Sequence, residues 1–381
     1  MALLSGKEKS QEGVALIPSK AWVKAQGYWH RNERYLAAEF FLAGFVFDLI
    51  TLHRIDDKLT IIQQGLFILI TLILLLLKTQ SWSPPQQWPP WLVKAWGFHT
   101  EGLHFLFGSL LSGFTVFYFK SSSLFVSSGF LALLLLLLVA NEMKKFKQLE
   151  LPFKWSLFSL CLISYLAYLV PITLGFMGLS TFLIGLFLAL LVFAFIYGFL
   201  HRRICDKSKL RRQIVLPGLS VLGSFSIAYW LQIIPPVPLS IKYIGIYHQV
   251  QRTPEGVYEL YHQRPWWKFW QNGDQTFMTS PGDKIYCYFR LFSPARFEDK
   301  VQLRWLKKDP DRGWENQDIL SLKIAGGRSE GFRGFGTKAN YSPGAWRVQV
   351  ETSEGHEIGR IYFEIVPEKN EENRTFHVDR Q

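Results

Sequence analysis

The chain has 381 residues, of which 49% are hydrophobic and 16% aromatic, and its formal net charge is +12. A length well above that of one ordinary domain predicts two parts. Residues 1–241 hold 21 Lys and Arg against 11 Asp and Glu, whereas residues 242–381 hold 21 against 19. A nucleic-acid-binding face needs basic residues concentrated on the soluble part, so we expect no nucleic-acid partner.

Residues 1–34 begin with polar residues and end with a mixture of aromatic and basic ones. Within residues 19–34, Trp22, Tyr28 and Trp29 are interspersed with four basic residues. This mixture is typical of segments at the lipid headgroup boundary, so we expect a cytoplasmic or interfacial segment. Because the short apolar core and cleavage site of a secretory signal are lacking, we expect the first span to act as an uncleaved anchor.

Residues 35–234 contain seven long apolar runs. Each run has 18 or more residues, which as a helix is about the thickness of a bilayer's hydrocarbon core. The runs are Tyr35–Leu52, Leu59–Leu77, Gly102–Phe119, Ser121–Ala140, Trp155–Leu174, Leu179–Leu200 and Ile214–Ile234. We therefore predict an α-helical membrane bundle of about seven transmembrane helices, with the lipid bilayer as its first partner.

The orientation of these spans follows from the loops, because Lys and Arg are retained on the cytoplasmic side. With the N-terminus inside, the segments assigned to the cytoplasm hold eighteen basic residues. The opposite loops hold three, Arg54, Lys58 and Lys120. We therefore predict a multi-pass protein with a cytoplasmic N-terminus, in which seven crossings place the chain after Ile234 in the periplasm.

The pattern changes after the last apolar run. Three prolines in residues 235–240 cannot continue a helix and predict a stiff linker. Short runs rich in Val, Ile, Tyr and Phe then predict an all-β, immunoglobulin-like antiparallel sandwich at residues 241–367, with Trp305 and Trp346 as core anchors. The tail, residues 368–381, has little apolar surface to bury and is predicted to be disordered.

Several short motifs occur together in this C-terminal part. They are GDKIYCYFR at Gly282–Arg290, LRW at Leu303–Trp305, GGR at Gly326–Arg328 and PGAWRVQV at Pro343–Val350. Through them, the segment Asp283–Val366 resembles a bacterial domain known as domain of unknown function family 2914. It departs from the family at Leu303, where histidine is common. The resemblance implies an inner-membrane protein of the bacterial envelope with a multi-span N-terminal half, and it implies no reaction.

Ionisable residues inside the predicted spans are costly and mark candidate sites. Glu39 and Asp48 are nine residues apart, which puts them on opposite faces of one helix and argues against a single proton path. Glu101 and His104, at i and i+3, share one face at the start of the third span. With Glu142 and Glu39 at similar depth, they form a candidate intramembrane cluster that would bind a metal or relay a proton. The alternative is helix-end charges paired with nearby lysines.

The run Arg264–Trp270, RPWWKFW, is rich in aromatic residues for an expected loop. Three interpretations of Trp266, Trp267 and Trp270 are open: insertion into the membrane interface, stacking on a glycan, or covering the core of the sandwich. The loop follows the last span by only about thirty residues. This position favours packing in the core or at the membrane interface.

Arg328, Arg333 and Lys338 lie in a glycine-rich stretch, AGGRSEGFRGFGTKAN, at residues 325–340. A flexible basic loop suits a phosphate or an anionic polymer, but the pattern of a P-loop does not accompany it. The alternative is a set of solvated charges that protect a sheet edge from aggregation.

No catalytic or cofactor-binding motif can be argued from residue spacing in the soluble half. The first hypothesis is therefore a non-enzymatic inner-membrane protein whose periplasmic sandwich binds an envelope protein or glycan. The second is a transporter or membrane-embedded enzyme with a polar site among the spans. The third is a lipid- or glycan-modifying enzyme that uses the periplasmic face.

Overall fold

A computed structural model describes residues 56–81, 89, 93, 96–121, 124–142, 150–204, 206–326, 331–368 and 374–381. The described chain is helical first and then built from strands. The helices are α1 (Lys58–Thr79), α2 (His99–Lys120), α3 (Leu124–Glu142), α4 (Leu151–Leu174), α5 (Leu179–His201) and α6 (Lys207–Trp230). The predicted segment 1–34 and the predicted span Tyr35–Leu52 lie outside the described residues.

Five of the described helices, not seven, are long and apolar enough to cross a membrane: α1, α2, α4, α5 and α6. The predicted run Ser121–Ala140 corresponds to α3, which counts as a shorter apolar helix over Ser127–Asn141. Ser121 is the C-terminal cap of α2 and does not belong to the next helix. Of the seven predicted runs, the first lies outside the described residues, and five of the other six correspond to helices of spanning length.

The helices form a bundle around α4. This helix packs against α1, α2, α5 and α6, and most of its side chains are buried. By contrast, α1, α5 and α6 bury few side chains and leave large apolar ones exposed on their outer faces. The bundle therefore has a packed interior and an apolar exterior.

The helix ends follow local chemistry. The Thr60 N–H donates to the Asp57 carboxylate at 3.0 Å, which caps the start of α1. At the end of α4, Gly175 has a φ of +82°, a left-handed conformation that favours glycine. A wide helical turn at Arg211–Val215 precedes Pro217 in α6, because the proline ring has no N–H for the helical ladder.

The C-terminal part contains eleven described strands in three sheets. The strands are β1 (Ser240–Tyr247), β2 (Gln249–Arg252), β3 (Tyr258–His262), β4 (Thr276–Thr279), β5 (Ile285–Phe292), β6 (Glu298–Asp309), β7 (Gly313–Ala325), β8 (Phe332–Lys338), β9 (Gly344–Thr352), β10 (Glu357–Pro367) and β11 (His377–Arg380). The sheet orders are β1-β5-β8, β4-β10-β9-β6-β7 and β11-β3-β2. Only the β4–β10 pair is parallel among these strands. We call this part the β domain.

One hydrophobic core receives side chains from the first two sheets. Trp305 on β6 and Trp346 on β9 are 1% and 2% exposed, which confirms both as core anchors. Cys287 and Phe289 on β5 contribute to the same core from the β1-β5-β8 sheet. Every second residue of these strands points into the core, so the residues between them form the outer faces of the sheets. A smaller cluster joins the third sheet to β5.

The proline-rich segment is packed rather than free. Residues 235–240 are buried, and Leu239 belongs to the core of the β domain. The Val237 N–H donates to the Pro235 carbonyl at 2.9 Å, and the Leu239 N–H donates to the Pro236 carbonyl at 3.0 Å. The predicted extended linker is therefore wrong, because two successive turns fold these prolines against the domain.

The β domain contacts the bundle directly through the α4–α5 connection. The Glu298 N–H donates to the Gly175 carbonyl at 2.8 Å. A Cβ on Gly175 would lie 2.6 Å from the Arg296 carbonyl oxygen, which is too close for any other residue. The Asp299 carboxylate accepts the Met177 N–H at 3.0 Å. Glycine thus allows the two parts to approach each other backbone to backbone.

Glu354, in the β9–β10 turn, joins two helices to the β domain. Its Oε1 accepts the Leu179 N–H at 2.7 Å, so a carboxylate of the β domain caps the first turn of α5. Its backbone carbonyl accepts a hydrogen bond from the Gln232 Nε2 at 3.2 Å, just after α6. These four hydrogen bonds therefore attach the β domain to one end of the bundle.

The end of the chain forms a strand, contrary to the predicted disorder. β11 pairs antiparallel with β3, from His377 opposite His262 to Arg380 opposite Glu259. The tail is held by hydrogen bonds and charges rather than by apolar burial: the Arg374 Nη2 donates to the Asp283 carboxylate at 2.8 Å. The amino-acid composition of the tail does not predict this strand, because β11 forms by pairing with the open edge of β3 and not by burying apolar side chains.

Candidate functional site

The aromatic loop, residues 264–270, begins the connection from β3 to β4. Two successive turns shape it: the Lys268 N–H donates to the Pro265 carbonyl, and the Gln271 N–H donates to the Lys268 carbonyl, each at 3.0 Å. The ring centroids of Trp267 and Trp270 lie 6.1 Å apart. The Lys268 Nζ lies 5.2 Å from the Trp267 centroid. The loop therefore has a compact, defined shape.

The aromatic side chains of this loop face outward. The exposed fractions are 87% for Trp266, 80% for Phe269, 63% for Trp270 and 50% for Trp267. A ring that covered the core would be buried, so the interpretation of the loop as a cover for the core is wrong. The membrane-interface and glycan-stacking interpretations both require exposed rings.

Buried polar groups hold the base of the aromatic loop. The Asp274 carboxylate, 3% exposed, accepts the Gln263 N–H at 2.9 Å. Arg264 donates to the Gln271 carbonyl, and its Nη2 lies 3.5 Å from the Asp379 carboxylate on β11. Burial raises the pKa of Asp274 to about 6. Hydrogen bonds of buried polar groups thus hold the base of the loop in place.

The base of the aromatic loop lies against β1. The Asn272 carbonyl oxygen is 3.0 Å from the position of a Cβ on Gly245. Gly245 is five residues past Ser240, the first residue of β1. At about 3.3 Å per strand residue, the base is about 17 Å along β1 from that start. The loop therefore emerges toward the end of β1 rather than at its start.

Arg333 and Lys338 lie on strand β8 and not in a flexible loop. The Arg333 Nη1 donates to the Gly256 carbonyl at 3.2 Å, and the Lys338 Nζ lies 3.3 Å from the Asp318 carboxylate. Both side chains bind acceptor groups within the β domain. The prediction of a flexible phosphate-binding loop is therefore wrong for these two residues. Arg328 lies outside the described residues.

The predicted intramembrane cluster is described only in part. Glu101 is exposed, and the His104 carbonyl accepts a hydrogen bond from the Asn141 side chain at 3.2 Å. The cavity lined by His104 and Lys154 measures about 20 Å³, room for about one water molecule. The Glu142 side chain and Glu39 lie outside the described residues, so the four-residue cluster stays a prediction.

Metal ligands do not converge in the described part of the chain: it contains no group of three His, Cys, Asp or Glu residues placed to hold an ion. One buried pair of such residues in the β domain is His248 and Asp274, in which the His248 Nε2 lies 3.5 Å from the Asp274 carboxylate. The His248 ring stacks on Phe277 at a centroid distance of 4.0 Å. Burial lowers the pKa of His248 to about 4, so the ring is neutral at pH 7. This histidine is a packed structural residue.

A polar cleft of about 590 Å³, which the sequence patterns do not predict, lies on the outer face of the five-stranded sheet. Six strand residues line its floor: Gln302, Arg304, Gln349, Glu351, Glu357 and Arg360. The signal was present in QLRW and RVQVE, where polar side chains alternate with the apolar residues of the core. Only the pairing of β6, β9 and β10 brings these polar residues side by side.

The described fold defines a chain of two parts: helices of which five are long and apolar enough to cross a membrane, and an antiparallel-rich β domain. Residues 298–365 match the family model described as "Protein of unknown function (DUF2914)". The resemblance of the C-terminal part to this family is therefore confirmed. No curated protein matches the chain.

Solved structures resemble parts of the chain only distantly. A β-glucosidase from Listeria innocua has 14% identity and a TM-score of 0.19, over 24% of this chain and 15% of that protein. An immunoglobulin-like protein from Pseudomonas aeruginosa has 12% identity and a TM-score of 0.21, over 34% of this chain and 98% of that protein. An alkylpurine DNA glycosylase from Pseudomonas fluorescens has 13% identity and a TM-score of 0.22, over 71% and 77%. Scores this low carry no functional argument.

Proposed function

We propose that this chain is an integral inner-membrane protein of a bacterial envelope whose C-terminal domain binds an envelope partner in the periplasm and carries out no reaction. Membrane insertion is supported by the outer faces of the bundle. Leu59 on α1 is 76% exposed, Phe187 on α5 is 59% exposed, and Leu216 on α6 is 63% exposed. Such surface is costly in water, whereas lipid tails are as apolar as these side chains.

The proposed orientation rests on charge. The β domain contacts the end of the bundle at which α4 ends and α5 begins. The opposite end carries Lys78, whose Nζ lies 3.4 Å from the Thr100 hydroxyl, and Arg203, whose Nη1 donates to Gln80. The described basic residues of the segments assigned to the cytoplasm, which are Lys78, Lys154 and the six at residues 202–212, belong to that opposite end, so the β domain is periplasmic in this proposal.

Reporter fusions test this orientation. A reporter that is active only outside the cytoplasm is expected to work when fused after Val366 and to be silent when fused after Lys209. Among the described helices, only α6 separates the two fusion sites, so the comparison does not depend on the total number of spans. Activity after Lys209 with silence after Val366 would reverse the orientation, and equal activity at both sites would mean that α6 does not cross.

For the β domain we infer an immunoglobulin-like sandwich. The inference is supported by the single core that receives Phe289 from the three-stranded sheet and Trp305 from the five-stranded sheet. Two sheets that fill one core from opposite sides are the defining feature of a sandwich. In such a domain, loops at the rims carry the binding surfaces.

The observation that carries the binding function is the exposure of the aromatic loop. Four large rings at the surface of an otherwise well-packed domain are unusual unless a second surface covers them. We assign the outer membrane–water interface as the occupant, because large exposed aromatic rings beside a basic residue are typical of that interface. Indole rings favour that interface, and Lys268 adds about 1 kcal/mol of attraction to anionic headgroups.

Liposome flotation tests the aromatic loop. The fragment 235–381 is expected to bind liposomes that contain anionic lipid, weakly and less at high salt, because rings and a basic residue act together. Replacement of Trp266, Trp267 and Trp270 by Ser is expected to abolish flotation. The circular dichroism spectrum is expected to remain that of an all-β domain, because these side chains are exposed.

A matched control removes exposed apolar side chains elsewhere on the domain. Ile319→Ser, Leu320→Ser and Phe335→Ser together change residues that are 37–41% exposed and distant in sequence from the loop. This variant is expected to float like the unmodified fragment. Equal loss of flotation in both variants would contradict a specific role of the loop. Binding to glycan polymers but not to liposomes would replace the membrane interface by a glycan as its occupant.

A further inference from the structure

The polar cleft lies on the outer face of the five-stranded sheet, at the end of the β domain that contacts the bundle. Its floor is formed by side chains of β6, β9 and β10, and Glu354 and Gln232 stand at its rim. Its volume of about 590 Å³ is within the range of sites for small molecules. Unlike most such sites, it is lined almost entirely by polar side chains.

The strand pairing arranges these side chains in two rows. Arg304, Gln349 and Arg360 lie side by side in one row. Gln302 and Glu351 lie opposite each other in the next row, where Glu351 is also opposite Glu357. Rows of planar guanidinium, amide and carboxylate groups on rigid strands present paired donors and acceptors at fixed spacing.

Ion pairs hold these planar groups in position. The Arg304 Nε donates to the Glu351 Oε1 at 2.7 Å, and the Arg360 Nε donates to the Glu357 Oε1 at 2.6 Å. The Gln349 Nε2 donates to the Glu357 Oε2 at 2.5 Å. Because Glu351 and Glu357 are 4% and 9% exposed, the pairs are shielded from water, and the floor of the cleft is preorganised.

The charges of the cleft exclude several classes of ligand. Each arginine is neutralised by a carboxylate at its side, so no free cation is presented to a phosphate or carboxylate ligand. Glu354 leaves an excess of one negative charge among the lining residues. The polar lining does not suit an apolar ligand. A neutral or weakly basic molecule with many hydroxyl groups fits best.

An aromatic edge lies beside the polar rows. Tyr362 is the next outward-facing residue of β10 after Arg360, and its ring centroid is 5.6 Å from that of Trp314. The Arg347 guanidinium lies 4.7 Å from the Trp314 centroid. Sugars present hydroxyl groups to planar polar side chains and C–H faces to aromatic rings. We propose that the polar cleft is a saccharide-binding site for a neutral or amino-sugar oligosaccharide.

Calorimetric titration of the full chain in lipid nanodiscs tests this site. Nanodiscs are required because maltoside and glucoside detergents would themselves supply sugar headgroups. The probes are the β-1,4-linked tetramers of N-acetylglucosamine and of glucose. At least one of them is expected to bind, and Ser353→Trp, which fills the exposed rim, is expected to remove the binding. Gln302→Ala is expected to weaken it about tenfold through the loss of one hydrogen-bonding group.

Gln317→Ala is the matched control, because Gln317 lies on the adjacent strand β7 outside the cleft. This variant is expected to bind like the unmodified chain. Absence of binding by both tetramers, or binding that Ser353→Trp leaves unchanged, would overturn the proposal. Loss of binding in the triple Trp→Ser variant of the aromatic loop, with Ser353→Trp unaffected, would also overturn it. The liposome assay does not involve the cleft, so the two proposals fail independently.

Discussion

Replacing Trp346 by alanine is expected to lower the free energy of unfolding of the β domain by about 3–5 kcal/mol. The indole is 2% exposed, and its Nε1 donates to the Ser342 carbonyl at 2.9 Å. Alanine would leave a cavity at the contact of the two sheets and an unpaired carbonyl at its edge. An effect of this size is a large fraction of the total stability of an ordinary domain.

Urea unfolding of the fragment 235–381, followed by circular dichroism, measures this effect. The fragment has its own core and is expected to fold alone. Trp266→Ala is the matched control: the same chemical change at a side chain that is 87% exposed is expected to alter the free energy by less than about 0.5 kcal/mol. If the two variants unfold at the same urea concentration, Trp346 is not a core anchor.

Removing residues 369–381 is expected to destabilise the β domain by about 2–4 kcal/mol, although the sequence predicts a disordered tail there. The deletion removes β11 and leaves polar groups without their partners: His262, 4% exposed, loses the Asp379 carboxylate at 3.3 Å. Arg264 at the base of the aromatic loop loses the same carboxylate. The pKa of Asp379 is lowered chiefly by its hydrogen bond with His262, which indicates that the interaction favours the charged carboxylate.

The tail deletion is measured by the same urea unfolding, and size-exclusion chromatography reports its second effect. Without β11, β3 becomes an open edge, and the shortened fragment is expected to associate with itself. Arg380→Gln is the control within the tail, because Arg380 is 75% exposed in its ion pair with Glu259 and such pairs contribute little. If the shortened fragment unfolds at the same urea concentration as the unmodified fragment, the tail does not contribute to the stability of the fold.

The positions of most elements can be read from the sequence. The last helix ends at Trp230, close to the predicted end at Ile234, and the described strands begin at Ser240, next to the predicted start of the sandwich at residue 241. Both results follow from periodicity, since apolar runs and alternation reflect burial along one element. The sequence missed β8 because its glycines weaken the strand signal. A Cβ on Gly336 would lie 2.7 Å from Leu303 Cδ1, so glycine there reflects the packing of another strand.

The candidate sites show where sequence patterns stop being informative. The aromatic loop was visible as RPWWKFW, yet its exposure depends on Asp274 and Arg264, which hold the base of the loop. The polar cleft was not visible, because Arg304 and Arg360 are 56 positions apart and meet only through the register of β9. The spacing of residues along the chain does not show which residues become neighbours on adjacent strands.

The amino-acid sequence by itself determined that this chain has an apolar helical part followed by strands, because hydrophobic runs and alternation are local properties. Only the tertiary structure decided that the prolines after α6 are packed, that the tail is a strand, and that Glu354 caps α5. Each of these depends on partners far away in sequence: the core around Leu239, the open edge of β3, and the free N–H at Leu179. A polar group is satisfied by whichever partner the fold brings to it, and that partner is not encoded in the residues beside it.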